Sequence, residues 1–157
     1  MSEPTSDTVS EIDGHLVTDV PHAAAIGMRV ISAGDGDAVC FVPYDPRFVG
    51  NPETGVVHGG LVTTLLDNTC GIAVTSKTGL HGQIATLDLR IDYMKPADAG
   101  KSILARAECF KVTRNIAFVR GIAYQSDPTD PVATCAATFM IGAKSGKGSN
   151  LTPAETA

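Results

Sequence analysis

One carboxylate stands alone in a long uncharged stretch, and its setting is the strongest sign of chemistry in this sequence. Between Gly59 and Ser76 the side chains are apolar, small or hydroxylated, and Asp67 is the only ionisable carboxylate. Such a stretch predicts a helix that is buried on nearly all sides. Because burying an unpaired carboxylate is costly or raises its pKa, Asp67 is predicted to serve catalysis or a specific partner. The alternative is a solvated position on the helix.

Two glycines open the same helix, directly after His58. The first N–H groups of a helix have no partner within the helix, and glycine lets a ligand approach the backbone closely. Gly59 and Gly60 can therefore donate hydrogen bonds where negative charge develops on a substrate oxygen. The alternative for the glycines is close helix packing, and for His58 it is a capping or packing role.

The elements that position these residues follow from the periodicity of the chain. Residues 21–27 predict a short helix, because a proline lies in the first turn and a glycine at the end. Residues 28–32 and 38–44 predict a hairpin around a turn at residues 33–37. Residues 45–55, with two prolines and two glycines, predict a loop that leads into the uncharged helix.

After that helix the apolar period changes from helical to two. In residues 84–93 apolar side chains alternate with polar ones, which predicts a strand whose polar face carries Thr86. Residues 102–110, 115–124 and 132–142 predict three further strands, joined too closely for helical crossovers and therefore antiparallel. The last of them is apolar on both faces and is expected inside the sheet. The chain is therefore predicted to be α+β.

The composition predicts one domain. The chain has 157 residues, 43% of them hydrophobic, which suits one core better than two. We predict a folded unit over residues 21–143. Residues 1–20 lack apolar periodicity and residues 144–157 are rich in Gly, Ser, Pro and Thr, so both are predicted to be flexible tails.

Charge and cysteine usage narrow the class of protein. The net charge is −5 and no Lys/Arg cluster occurs, which argues against nucleic acid or an anionic membrane as a partner. No apolar run is long enough to cross a membrane and no export signal is evident. The cysteines lie far apart and the histidines lack ligand spacing, so we expect reduced thiols, no metal and a cytoplasmic protein. The cysteines are Cys40, Cys70, Cys109 and Cys135.

The order of the candidate residues resembles a known family. Asn51, Gly55, the run His58-Gly59-Gly60, Asp67 and the strand with its turn over residues 86–97 are similar to the hotdog-fold acyl-CoA thioesterases of the phenylacetate-degradation (PaaI-like) type. The resemblance covers residues 26–142. It implies an antiparallel sheet wrapped around one long central helix, and a homodimer or tetramer whose sheets join edge to edge. It also implies hydrolysis of a coenzyme A thioester without a metal or cofactor.

The resemblance implies a role for each matching residue. Gly59 would donate its N–H to the thioester oxygen, and Asn51 and His58 would orient that region. Asp67 would attack directly or activate water, which Thr86 would position. The residues implied as contacts to substrate or coenzyme A are Gly60, Tyr93, Lys95 and Arg114.

Helix geometry adds a constraint of its own. Gly59 and Asp67 are eight residues apart, which on one helix is about 12 Å at a rise of about 1.5 Å per residue. One helix cannot supply both the oxyanion donor and the base to one carbonyl. The sequence therefore predicts a composite site in which Asp67 comes from a second subunit, with two equivalent sites in each dimer.

Two other functions remain open at this point. A hydratase or dehydratase of the same fold would act on an enoyl thioester, but its Asp-x-Asn-Pro-x-His order is missing and only Asn51-Pro52 matches it. A non-catalytic module that binds acyl-CoA would need the same pocket without the chemistry. Thiol release from a panel of acyl-CoAs distinguishes these functions.

Overall fold

The structure is a computed structural model that describes residues 14–79 and 83–142. Its strands are β1 (Arg29–Gly34), β2 (Asp37–Val42), β3 (Val49–Asn51), β4 (Val56–Val57), β5 (Ile84–Tyr93), β6 (Ile103–Val112), β7 (Ile116–Tyr124) and β8 (Ala133–Ile141). Its α-helices are α1 (Pro21–Ala25) and α2 (Gly59–Thr78). A π-helical turn at Gly14–Thr18 precedes α1, and a 3-10 turn at Pro46–Phe48 precedes β3.

One six-stranded sheet curves around α2. The strand order is β1-β2-β6-β7-β8-β5, and every neighbouring pair is antiparallel. This confirms the predicted α+β class with an antiparallel sheet around one long helix. β8 lies between β7 and β5, so the strand that is apolar on both faces is inside the sheet, as predicted. β3, which lies in the segment predicted to be a loop, pairs with β4, which directly follows that segment, in a separate two-stranded ribbon.

Helix α2 supplies more of the large side chains of the core than any other element. Leu65, Leu66 and Ile72 are among its fully or almost fully buried residues. The inward positions of the sheet are mostly small. On β2, β6, β7 and β8 they include Ala38, Cys40, Ala105, Ala107, Cys109, Ala117, Gly121, Ala123, Ala133, Cys135 and Ala137. A sheet lined by small residues lets a helix of large residues lie close to it.

The C-terminal end of α2 is tied to the β1–β2 hairpin. Gly36 N–H donates to Ser76 Oγ at 3.1 Å, and Lys77 Nζ donates to the carbonyl of Asp35 at 3.1 Å. Asp35 and Gly36 have φ of 50° and 96°, so this hairpin turns in two residues instead of the five predicted. Two successive residues with positive φ match the twist of paired strands, and this lets both strands extend to the turn.

The alternation predicted for β5 is broken by a β-bulge. Leu87 and Asp88 both lie opposite Thr138, because the register shifts between Thr86 and Asp88. An extra residue in one strand reverses the faces on either side of it. Thr86 therefore points toward α2, and its predicted place on the polar outer face is wrong. Leu87 points outward and is 51% exposed.

The folded part of the chain begins before Pro21. Val17, in the π-helical turn, is completely buried in the core, and Leu16 packs against it. Residues 14–20 thus belong with the folded unit, although their lack of periodicity groups them with the N-terminal tail in the sequence. The remaining tail predictions, for residues 1–13 and 144–157, lie outside the described residues.

Candidate active site

One stripe of α2 is left open by the sheet, so the prediction of burial on nearly all sides does not hold there. Its side chains are small or polar and only half-buried or exposed. Their spacing of three or four residues places them on a single face of the helix. The stripe consists of Gly60, Thr63, Thr64, Asp67 and Asn68.

Two sets of hydrogen bonds connect this stripe to β5. Thr86 Oγ1 donates to Asp67 Oδ1 at 3.0 Å. Near the helix start, Tyr93 Oη donates to the carbonyl of Gly59 at 2.8 Å and lies 2.7 Å from Thr63 Oγ1. The Asp67 contact and the Gly59 contact thus occupy opposite ends of the same strand. The bulge is what allows one face of β5 to carry both.

The first turn of α2 offers one unpaired amide. His58 Nδ1 accepts from Gly60 N–H at 2.9 Å, and the His58 carbonyl accepts from Leu61 N–H at 3.0 Å. Within residues 14–79 and 83–142, no acceptor is found for Gly59 N–H. A Cβ on Gly60 would lie 2.9 Å from His58 Nδ1, so glycine is needed there for the cap to close. Gly59 is therefore the donor available to a ligand, while Gly60 is used by the cap.

The surroundings of Asp67 include a cysteine whose thiol is disfavoured as a nucleophile. The residue is half-buried, and Cys70 lies one turn further along α2. Cys70 Sγ is 3.6 Å from Cys135 Sγ. This hydrogen bond and burial raise the pKa of the Cys70 thiol well above its ordinary value. A thiol that stays protonated is a poor nucleophile, so Cys70 does not compete with Asp67 for that role.

Asn51 closes the turn that follows β3. Its Oδ1 accepts from Glu53 N–H at 3.0 Å, and its carbonyl accepts from Gly55 N–H at 2.8 Å. The side chain is exposed and committed to its own loop. His58 is instead held by the carbonyl of Phe48, which accepts its backbone N–H at 2.9 Å.

The residues expected to contact coenzyme A do not all lie at the same end of the sheet. Tyr93 is bonded to Gly59, and Lys95 follows it and forms an ion pair with Asp130. Both therefore belong to the end of the sheet at which α2 begins. Arg114 is exposed in the turn between β6 and β7.

Strand pairing shows how far Arg114 lies from that end. Ile116, beside the turn, pairs with Met140, and Met140 pairs with Ala85 at the start of β5. Ala85 and Tyr93 are eight residues apart, which is roughly 26 Å along a strand. Within one chain, Arg114 and Tyr93 cannot contact the same nucleotide.

Two cavities open beside the stripe. The first, of about 180 Å³, has polar groups from Asp67, Asn68 and Thr86 and is otherwise apolar. Its other lining residues are Leu16, Val20, Gly71, Ile72, Ile84 and Phe139. The second, of about 350 Å³, lies at the start of α2 and is lined by His58, Gly60 and Thr64 together with His22 and Arg47.

Arg47 and His22 are site candidates that sequence reasoning missed. Arg47 lies in the predicted loop, where its only sequence signal is an Asp two residues earlier. The Arg47 guanidinium holds the pKa of the Asp45 carboxyl below its ordinary value through two hydrogen bonds. His22 faces the same cavity from α1, a placement that depends on the tertiary fold.

Two other features are absent from the described residues. No group of three or more potential metal ligands occurs among residues 14–79 and 83–142. In the same part of the chain, no helix has both the length and the apolar character needed to span a bilayer.

Comparison with protein families decides the class. The family model described as the thioesterase superfamily matches residues 54–132. This chain belongs to the thioesterase superfamily. The matched segment includes Gly59, Asp67 and Thr86. Membership confirms the resemblance seen in the sequence, the hotdog fold and the enzyme class of thioester hydrolases.

Solved structures share the fold. A protein from Pseudomonas aeruginosa is 41% identical with a TM-score of 0.76, over 84% of this chain and 97% of that chain. A mutant of the phenylacetic acid degradation protein PaaI from Thermus thermophilus is 25% identical with a TM-score of 0.67, over 76% of this chain and 97% of that chain. The PaaI-like character is therefore confirmed.

Sequence relatives agree. A relative from Halobacterium salinarum is 36% identical over 75 residues, which are 46% of this chain and 50% of that protein. The chain thus spans half the length of that relative. The medium/long-chain acyl-CoA thioesterase YigI of Escherichia coli K12 is 23% identical over 88% of this chain and 97% of its own length.

Proposed function

We propose that this protein hydrolyses an acyl-CoA thioester to the free acid and coenzyme A. The observation that carries the proposal is that α2 presents both the unpaired Gly59 amide at its start and the Thr86-bound carboxylate of Asp67 on its open stripe. Relatives that are named as acyl-CoA thioesterases support the substrate class. The catalytic roles below belong to the proposal.

The chemistry assigns one step to each group. The thioester carbonyl accepts a hydrogen bond from Gly59 N–H, where the partial positive charge of the helix start stabilises the developing oxyanion. Asp67 either attacks the carbonyl carbon or takes a proton from the water that attacks it. The tetrahedral intermediate then collapses, the C–S bond breaks, and coenzyme A leaves as its thiolate, which takes up a proton. If water attacked, the free acid forms in this step; if Asp67 attacked, a mixed anhydride is left on Asp67, and water hydrolyses it to the free acid and the original carboxylate. Thr86 fixes one oxygen of Asp67, so the other is free to act.

The proposed site is shared between two subunits. Gly59 and Asp67 are too far apart along α2 to meet in one chain. β5 is an edge strand in the described sheet, and exposed edge groups can pair with a second copy. Antiparallel pairing of β5 with its copy brings the Tyr93 end of one strand beside the Thr86 end of the other. The Gly59 amide then faces the partner subunit's Asp67.

Charge and the length of the paired segment together favour one register of β5 for this pairing. Asp88, Arg90 and Asp92 share the outer face. If Leu89 lies opposite its own copy, Asp88 lies opposite the partner subunit's Arg90, twice by symmetry. If Arg90 lies opposite its own copy, like charges face each other, which is unfavourable. Pairing centred on Ile91 would also place Arg90 opposite an aspartate, but it would pair only residues 89–93 of β5, whereas pairing centred on Leu89 uses residues 85–93. We therefore propose pairing centred on Leu89.

The same pairing gathers cations at one end of the site. Tyr93 and Lys95 lie near the Gly59 end, and the two-fold axis brings the partner subunit's Arg114 to that end. Arg47 and His22 line the cavity beside Gly60. The phosphates of coenzyme A are proposed to bind at this end, because polyphosphates need cations. Arg114 thus acts only across the dimer.

The proposal is tested by thiol release from aryl, short-chain and long-chain acyl-CoAs. Asp67→Asn is expected to lower kcat/KM by about 10² to 10⁴, the usual contribution of a positioned acid or base. Glu53→Gln, which removes an exposed loop carboxylate, is the matched control and should keep wild-type turnover. Absence of turnover on the whole panel, or an unimpaired Asp67→Asn variant, would refute the proposal.

A mixed dimer tests whether the site is shared. Gly59→Pro deletes the amide N–H at the first helical position, where proline is tolerated, and the extended ψ of 133° at His58 suits a residue before proline. A dimer of one Gly59→Pro chain and one Asp67→Asn chain contains one intact composite site and should have about half of wild-type activity. Lack of recovery would show that both groups act within one chain.

A further inference from the structure

The cavity beside Asp67 is polar at one end and apolar at the other. Asp67 and Thr86 lie together at the polar end. Gly71, one turn along α2, lies further in, where Ile84 and Phe139 enclose the apolar end. A carbonyl group held at Asp67 would therefore direct its acyl substituent toward Gly71.

The backbone conformation at Gly71 does not require glycine. It lies inside α2, where glycine is an unfavourable residue, and it is not among the glycines with positive φ. A Cβ at this position would lie 3.3 Å from Ile84 Cδ1 and 3.8 Å from Phe139 Cε1. Because Gly71 has no side chain, Ile84 packs directly against the helix backbone, and the two residues together form one wall of the cavity.

The cavity volume limits what can enter. An apolar cavity of about 150 Å³ accommodates a benzene molecule, and the volume here is about 180 Å³. On the basis of the proposed function, we infer that this cavity is an acyl chamber for compact, uncharged acyl groups, and that Gly71 and Ile84 set its size. The apolar part of the preferred acyl group is about as large as a benzene ring.

The charge of the lining supports an uncharged acyl group. Among the lining residues that belong to the described part of the chain, Asp67 is the one that carries a formal charge, and it lies at the reacting end. A second carboxylate on the acyl group would be desolvated beside Ile84 and Phe139 without a cation to pair with it. The chamber therefore selects against dicarboxylic acyl groups as well as against long chains.

The test is a profile of kcat/KM against acyl size. Acetyl-, butyryl-, hexanoyl-, phenylacetyl-, decanoyl- and palmitoyl-CoA are compared in the full-length wild type and in three variants. For the wild type we expect the maximum at hexanoyl or phenylacetyl and a fall of at least about tenfold at palmitoyl, because small size mismatches in an apolar pocket have effects of this order.

The variants move the maximum in opposite directions. Gly71→Ala should shift it toward acetyl and butyryl, and Ile84→Ala toward decanoyl, each by about tenfold in the ratio of kcat/KM values. Ile141→Ala is the matched control, since Ile141 pairs with Ile84 on the next strand and is also half-buried, but does not line the cavity. Its profile should match that of the wild type.

The outcomes separate this inference from the proposed function. If the wild type hydrolyses all six substrates equally and the variants keep that flat profile, the chamber is refuted and the thioesterase proposal stands. If no substrate is hydrolysed, the thioesterase proposal fails, and calorimetric titration with hexanoyl- and palmitoyl-CoA then tests the chamber. Tighter binding of hexanoyl-CoA that Gly71→Ala abolishes supports it, and equal affinities overturn it.

Discussion

The carboxylate of Asp67 is held from one side and left open on the other. Thr86 donates to one oxygen, and no ion pair to Asp67 is found in residues 14–79 and 83–142. A cation bound tightly to this group would oppose both nucleophilic attack and proton uptake. A hydroxyl donor orients the group without neutralising it. At the scale of residues, the site is thus a charged acceptor with a fixed direction.

Thr86 can be tested as the residue that provides this orientation. Thr86→Val keeps the shape but removes the donor, and a hydrogen bond to a charged group is worth about 1.5–3 kcal/mol. We expect kcat/KM to fall by roughly 10- to 100-fold, which is the corresponding change in rate. Thr86→Ser restores the hydroxyl and should recover most of the loss. Equal activity of the two variants would exclude an orienting role.

At the scale of elements, the start of α2 depends on His58. Its ring accepts Gly60 N–H and its carbonyl accepts Leu61 N–H, which leaves the Gly59 amide as the free donor. The cap therefore both stabilises the helix and selects which amide faces a ligand. A role for His58 as a catalytic base is a separate hypothesis, and the two are distinguishable.

Urea unfolding of two His58 variants makes this distinction. His58→Ala should lower the free energy of unfolding by about 1 kcal/mol, the typical cost of a lost N-cap. His58→Asn supplies another good capping acceptor and should restore the stability. If activity returns together with stability in the Asn variant, His58 acts through the cap. A loss of 10² or more in both variants would instead indicate acid–base catalysis.

Periodicity is a reliable guide to the elements of this chain but not to their faces. The helix that carries Asp67 and the strand at residues 84–93 follow directly from apolar patterning. The bulge at Leu87 has no signal in that pattern, because the alternation of apolar and polar residues continues unbroken through it. For Thr86, the predicted face is therefore wrong although the strand is right. The β3–β4 ribbon also escapes prediction, since strands this short carry no periodicity.

The candidate site can be predicted from the sequence only in part, because some of its residues come together through tertiary packing. Asp67 and Gly59 belong to one helix, so their separation follows from helix rise alone. The 180 Å³ cavity combines residues from the N-terminal segment, α2, β5 and β8. Contacts between distant parts of the chain, such as Leu16 with the core, are set by tertiary packing and have no local signature.

At the scale of the whole molecule, an edge strand with alternating charge is the feature to test. In one chain Arg90 contacts Asp92 at 3.1 Å, and both are exposed. The proposed pairing centred on Leu89 would add two contacts between Asp88 and the partner subunit's Arg90. Such cross-strand pairs contribute about 0.2–1 kcal/mol each. Their arrangement therefore affects the dimer more through register than through total affinity.

A charge reversal tests this register. Arg90→Asp places carboxylates opposite each other twice and should raise the dimer dissociation constant roughly tenfold, measured by sedimentation at several concentrations. The double variant Asp88→Arg/Arg90→Asp restores opposite charges and should restore the dimer. If the double variant remains as weak as the single one, the pairing is not centred on Leu89.

The small residues that line the sheet have a consequence for where α2 lies along its own axis. Alanines form few ridges that could interlock with a helix, so the sheet resists sliding of α2 less than a surface of large side chains would. Polar contacts at the two ends of α2 then limit such sliding: Tyr93 at Gly59, and Asp35 and Gly36 at Lys77 and Ser76. The reach of the carboxylate across a dimer is thus set by the contacts at the ends of the helix.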